Sequence, residues 1–213
     1  MGKELDSPEP GNARLLDRLL FFSDSVFAIV LTLLVLDLRL PPGATDTTLF
    51  RSLFAVEPKL AAFAITFALV AVFWISHVSI ARRLTTFDWA AAWFNMLFLF
   101  TITLTPFVSS LLGEFGVLGN AWRLYCLTLT GVGSALAMLF LVLHRDHGRL
   151  VGGVTRPEFW HRFTRVISPG ASFALLFALS LAGFARTSFI LSWVTVPIIL
   201  LVARFFFTRG RVS

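Results

Sequence analysis

The sequence predicts an all-α integral membrane protein with six transmembrane helices per subunit, and three observations carry that reading. Hydrophobic residues make up 57% of the 213 residues, and charged residues only 14%, far from the balance of a water-soluble domain. Apolar stretches of about 20 residues recur, each long enough at 1.5 Å per residue to cross a hydrocarbon core of about 30 Å. The charges that remain gather in the short connections between them. A net charge of +6 is therefore a matter of topology rather than of nucleic-acid binding, which would need a basic face.

Residues 1–13 (MGKELDSPEPGNA) are polar and lack a signal-peptide pattern, so they are expected to form a flexible cytoplasmic tail. Residues 14–208 form one membrane domain, and 209–213 a short C-terminal tail. The first span runs from about Leu15 to Leu38 and is stopped by Pro41 and Pro42, which cannot continue a helical ladder. Leu49, Leu53 and Phe54 then have helical spacing and suit a segment lying along the membrane surface. Pro58 opens a second span, expected to end near Ile80 before Arg82 and Arg83. The third runs from about Trp89 to Leu112, with a kink expected at Pro106. A fourth follows from Ala121 to Leu143, a fifth from about Val166 to Phe184, and a sixth from about Phe189 to Phe207, with a turn at Arg186 and Thr187 between the last two.

Orientation follows from the distribution of Lys and Arg. The N-terminus, the connections after the second and fourth spans and the C-terminus hold 13 of the 18, and the opposite side holds 5. By the positive-inside rule both termini are expected in the cytoplasm. The single Cys126 cannot form an intrachain disulfide and suits a small core position. Trp89, Trp93, Trp122, Trp160 and Trp193 fall near span ends, as an interfacial belt does. Trp74 lies deeper and suits packing.

The intramembrane polar residues stand out. Ser23 and Asp24 lie within the first turns of the first span. A carboxylate at such depth costs at least ~2.5 kcal/mol on insertion scales unless it has a partner or meets water. His77 lies about one and a half turns before the second span ends, and Asn95 about two turns into the third, so all four share one layer. Arg18 and Asp24 are six residues apart, about 240° in azimuth, and do not pair on one straight helix. Asp24 is expected to take His77, Asn95 or a neighbouring subunit's arginine as partner, making Arg18, Ser23, Asp24, His77 and Asn95 a structural polar network. With Asp24 turned inward, Ile29, Thr32, Leu33 and Leu36 form one stripe at i, i+3, i+4, i+7 spacing. By spacing alone this stripe is equally an ordinary lipid-facing or core surface.

Arg18, Phe22, Ser23 and Asp24 spell R-x-x-x-F-S-D at the head of a first span. That string resembles the signature of the transmembrane-protein-175 family of potassium channels in its prokaryotic single-repeat form. W-I-S-H at Trp74 to His77 and the stretch from Asn95 to Pro106 resemble the family as well. The resemblance implies a homotetramer in the cell membrane whose first helices line a central pore. Residues corresponding to Ile29, Leu33 and Leu36 then form its constrictions, and Thr32 a threonine layer. It implies a potassium-selective channel whose partners are its own copies, membrane lipids and potassium ions. No nucleic acid and no cofactor beyond the permeant ion are expected. Asp37 either concentrates cations at the pore mouth or is a solvated helix end.

No T-V-G-Y-G filter loop and no row of regularly spaced arginines occurs, which separates this chain from the common potassium-channel architecture. The alternative function is a proton-coupled secondary transporter using Asp24 and His77 as a relay, with Pro106 and Pro197 as faint marks of broken helices. An enzyme is not expected, since no catalytic triad, H-E-x-x-H motif or paired intramembrane aspartates occur. His144 and His147 form at most an incomplete metal pair, and no metal site is expected.

Overall fold

The computed structural model describes residues 10–84, 88–116, 119–145, 149–151 and 155–209, and every regular element in these segments is helical. Helix α1 spans Pro10–Leu33 and tightens into a 3-10 turn over Leu34–Asp37. Proline at the first helical position loses no bond, because that N–H has no intrahelical acceptor. Residues 10–13 therefore belong to the helix rather than to the expected tail. The rest of that tail, 1–9, and 210–213 lie outside the described residues, as does His147.

Past the Pro41-Pro42-Gly43 stop, a 3-10 turn at Asp46–Thr48 leads into α2 (Leu49–Ala55). This short helix presents Phe50 and Phe54 on an exposed face. Helix α3 (Glu57–Ala81) carries Pro58 in its first turn. At Pro106 the helical ladder is interrupted at a single residue, as expected of a kink, with Leu104 keeping right-handed helical dihedrals. Helix α4 (Trp89–Thr103) stops, Leu104 takes the junction, and α5 (Thr105–Phe115) restarts with Pro106 in its first turn. Asp88 caps α4 by accepting the Ala91 N–H at 2.9 Å, and its other oxygen pairs with Arg145 beyond α6. Helix α6 covers Asn120–Leu143.

Helix α7 (Arg156–Leu181) starts about ten residues before the expected Val166. Pro157 fits its first turn, and Phe159 and Phe163 lay their rings 5.5 and 5.9 Å from Phe140 of α6. Arg156, Glu158, Arg162 and Arg165 interleave with this apolar stripe and mask it in the sequence. The turn into α8 (Ala185–Arg209) is made by Gly183 at φ +91°, not by Arg186 and Thr187, which are already helical.

Five helical stretches are long and apolar enough to cross a membrane: Arg14–Asp37, Glu57–Ala81, Trp89–Phe115, Asn120–Leu143 and Arg156–Leu181. The chain is a multi-pass membrane protein. In α8 the apolar stretch Ala185–Ile199 lies among the described residues. Helix α6 is the hub, with 56% of its apolar window buried against the rest of the chain. Its contact with α7 is backbone on backbone: a Cβ built on Gly133 falls 2.8 Å from the Gly170 nitrogen, and one on Gly170 falls 2.7 Å from the Gly133 Cα. Small residues permit such an approach, and dispersion between helices rewards it in lipid. Helix α1 is the least covered, at 22%, and rests on α3, α4 and α5.

Candidate functional site

Helix α1 divides along its length into two faces. Leu16, Ser23, Phe27, Val30 and Leu34 are buried against the rest of the chain, at the spacing of one helical stripe. On the other side Ile29 is 57% exposed, Leu33 42% and Leu36 57%, and Thr32 is exposed with them. The chain thus leaves uncovered the four residues singled out as a stripe. The Thr32 hydroxyl donates to the Ile29 carbonyl at 2.8 Å, leaving its oxygen lone pairs on the open side. In the 3-10 turn three residues complete about one revolution, which brings Leu36 nearly above Leu33. Asp37 is half-buried at the end of that turn, and the Arg39 guanidinium nearby donates to the Leu36 carbonyl at 3.1 Å.

The buried face is pinned by a hydrogen-bonded chain across three helices. Asn95 Nδ2 donates to Ser23 Oγ at 3.0 Å, and Asn95 Oδ1 lies 2.8 Å from His77 Nε2. With the amide oxygen accepting, His77 carries its proton on Nε2. Ser23 in turn donates to the Leu19 carbonyl at 2.9 Å. The His77 ring stacks on Phe98 at 5.4 Å, and Phe27 of α1 closes a triangle of rings, 6.0 Å from His77 and 5.8 Å from Phe98. His77 and Asn95 also line a cavity of about 20 Å³, room for a single water.

Ser23, His77 and Asn95 thus come together as one layer, but Asp24 and Arg18 do not join them. Successive helical residues lie about 100° apart, so Ser23 and Asp24 cannot both point at the Asn95–His77 pair, and Ser23 shares the stripe of Phe27 and Val30. Asp24 is on the exposed side, where its Oδ1 accepts from the Trp74 indole N–H at 2.9 Å. Within the chain its partner is Trp74 rather than His77 or Asn95, and Trp74 is a hydrogen-bond donor rather than simply packing. Arg18 is exposed and makes no ion pair among the described residues.

Sequence reasoning missed a second polar knot on the other side of the bundle. Thr66 of α3 donates to Ser109 of α5 at 3.0 Å and lies 3.0 Å from the Tyr125 hydroxyl of α6, all three buried. Trp122, expected in the interfacial belt, is 2% exposed and donates to Ser188 of α8 at 3.0 Å. Trp89, Trp93, Trp160 and Trp193 are exposed. Three hydroxyl-bearing residues at similar depth were the available signal for the Thr66 knot.

Comparison with known proteins follows this geometry. A sequence model of the family described as endosomal/lysosomal potassium channel TMEM175 matches residues 18–106, from Arg18 of α1 to Pro106 at the α4–α5 junction. A protein named as a potassium channel in Chamaesiphon minutus is 31% identical over 204 residues, which cover 89% of this chain and 92% of that one. One named likewise in Streptomyces collinus is 30% identical over 122 residues, covering 57% and 59%. The endosomal/lysosomal proton channel TMEM175 of Danio rerio is 28% identical over 130 residues, 60% of this chain and 25% of that one. The crystal structure of a lysosomal potassium-selective channel TMEM175 homolog from Chamaesiphon minutus superposes with a TM-score of 0.69 at 26% identity, covering 92% of this chain and 98% of that one. With this breadth of sequence and structural agreement, the chain belongs to the TMEM175 family.

Proposed function

We propose that this chain is the subunit of a potassium channel in which the exposed stripe of α1 lines the conducting path. The observation that carries the reading is the division of α1: one face fixed to α3 and α4 through Ser23, Asn95 and His77, the other left open with Ile29, Thr32, Leu33 and Leu36 on it. One chain supplies one such helix, so closure around a pore requires rotational symmetry, and the assembly proposed is a homotetramer. Helix α8, 25 residues long, serves as the sixth crossing and returns the C-terminus to the side of the N-terminus. The excess of Lys and Arg on that side makes it the cytoplasmic one, in the cell membrane.

Aliphatic rings at Ile29, Leu33 and Leu36 offer no oxygen to replace hydration water, so width and dewetting govern passage. Potassium holds its water less firmly than sodium, and a constriction that strips part of the shell penalises sodium more. Thr32 places hydroxyl oxygens between the rings, and Asp37 raises the local cation concentration at the mouth. No catalytic step is involved, and no cofactor is needed.

Liposome flux and single-channel recording on wild type and Ile29→Asn test this. Wild type is expected to favour potassium, and the variant to lose much of that preference as a polar ring admits hydrated ions. Unchanged ion preference removes Ile29 from the constriction. The animal relatives that bear the name of proton channels favour a second permeant ion, read by whether the reversal potential follows a pH gradient. A proton-coupled transporter draws less support, since His77 bonds to Asn95 and Asp24 to Trp74, with no hydrogen bond joining the two among the described residues. Saturating flux at low turnover without unitary currents would select it.

A further inference from the structure

We infer that the cationic cavity where α3 and α6 end and α7 begins binds a phosphate group, supplied by the headgroup of an anionic membrane lipid. The cavity measures about 470 Å³, within the range of small-ligand sites, and the pore function does not use it. Arg82, Arg83, Arg162 and Arg165 line it together with His144, and one carboxylate, Glu158, is present among them. Ile80, Phe140, Val151 and Val166 give it apolar lining.

Among the described lining residues, guanidinium groups outnumber carboxylates. Glu158 Oε1 accepts from Arg83 at 3.2 Å and also from Arg162, so a single oxygen serves two guanidinium groups. Arginines that only set topology have no reason to converge on one concavity, since splaying into water lowers their mutual repulsion. A guanidinium fork matches phosphate oxygens in a bidentate manner, and a phosphate would give Arg83 and Arg162 an oxygen each instead of the one they share.

His144 adds an independent observation. Its Nδ1 lies 2.8 Å from the Phe140 carbonyl, which requires the proton there. Its Nε2 is buried with no hydrogen-bond partner among the described residues. A phosphate bound among the arginines would bring the negative charge that lets the ring take a second proton and donate that N–H from Nε2 to a phosphate oxygen. The lipid is favoured as source because the cavity sits at the ends of membrane-spanning segments, beside the exposed indole of Trp160, the level of headgroups.

The test is thermal unfolding of the purified channel in neutral detergent, titrated with dioctanoyl phosphatidic acid, dioctanoyl phosphatidylcholine or inorganic phosphate. Phosphatidic acid is expected to raise the wild-type midpoint, and phosphatidylcholine to leave it unmoved. The double variant Arg83→Gln/Arg162→Gln is expected to need about tenfold more phosphatidic acid for the same rise. Glu158→Gln, which removes the competing carboxylate, is expected to need less, a reversal that a merely structural role does not produce. If the double variant does not fold, Arg82→Gln replaces it, with an expected weakening of about threefold for a more exposed contact. An equal response to inorganic phosphate keeps the site but assigns it to a soluble anion. Absence of response to both phosphate sources overturns the inference. Unchanged sensitivity in the arginine variant, or weaker binding in Glu158→Gln, does the same.

Discussion

At the scale of the residue, Asn95 is the centre of the buried layer. It gives its amide N–H to Ser23 and its oxygen to His77, so replacing it strands partners on two helices. Asn95→Ala is expected to cost about 1–2 kcal/mol. At about 2–4 °C per kcal/mol for a chain of this size, its unfolding midpoint should fall by about 2–8 °C. A midpoint equal to wild type would show that the layer carries no stability. His144 predicts a pH dependence. Burial lowers its pKa from the ordinary 6.5; the hydrogen bond to the Phe140 carbonyl opposes this in part, Arg162 and Arg83 add to the lowering, and Glu158 is the smallest opposing pull. The unfolded chain then takes up a proton before the folded one as the pH drops. Stability is complete above about 6.5 and is lost as the pH falls below it toward the lowered folded value. Midpoints measured from pH 8 to 5.5 should show wild type falling faster than His144→Gln; parallel curves would remove the histidine from this role.

At the scale of the element, the α6–α7 pair is held by the Gly133–Gly170 contact. Gly133→Ala places a methyl group into the opposing backbone, and overpacking of this kind costs about 1–3 kcal/mol or more. Gly131, two residues away, has open space around a built Cβ, so Gly131→Ala should be neutral or gain up to ~1 kcal/mol of helix propensity. Comparable midpoints for the two variants would contradict the close approach. The elements themselves were largely legible. Apolar length located the spans, and Pro41, Pro58 and Pro106 marked three of their ends. What escaped were boundaries where polar and apolar signals overlap. Arg156, Arg162 and Arg165 concealed the first turns of α7, and Gly183 rather than Arg186 makes the following turn because only glycine adopts φ +91° without strain.

At the scale of the whole molecule, the placement of the candidate site was half legible. Depth along the sequence correctly gathered Ser23, His77 and Asn95, because rise per residue is fixed. Depth says nothing of azimuth, and so it put Asp24 with them when the 100° step sends it to Trp74 on the open side. The uncovered stripe on α1 argues for assembly. Native mass spectrometry should find four copies of the 23.7 kDa chain, near 95 kDa plus bound lipid, and a species of two copies alone would exclude a pore built from four first helices. The last turn of α1 adds a mechanical consequence. Between Leu33 and Leu36 the backbone is wound at about 3.0 residues per turn. Relaxing those three steps to 3.6 unwinds Leu36 by about 60° and draws it about 1.5 Å closer to Leu33. A local twist, with α1 still fastened at Ser23, therefore suffices to change which side chain stands at the outer end of the open face.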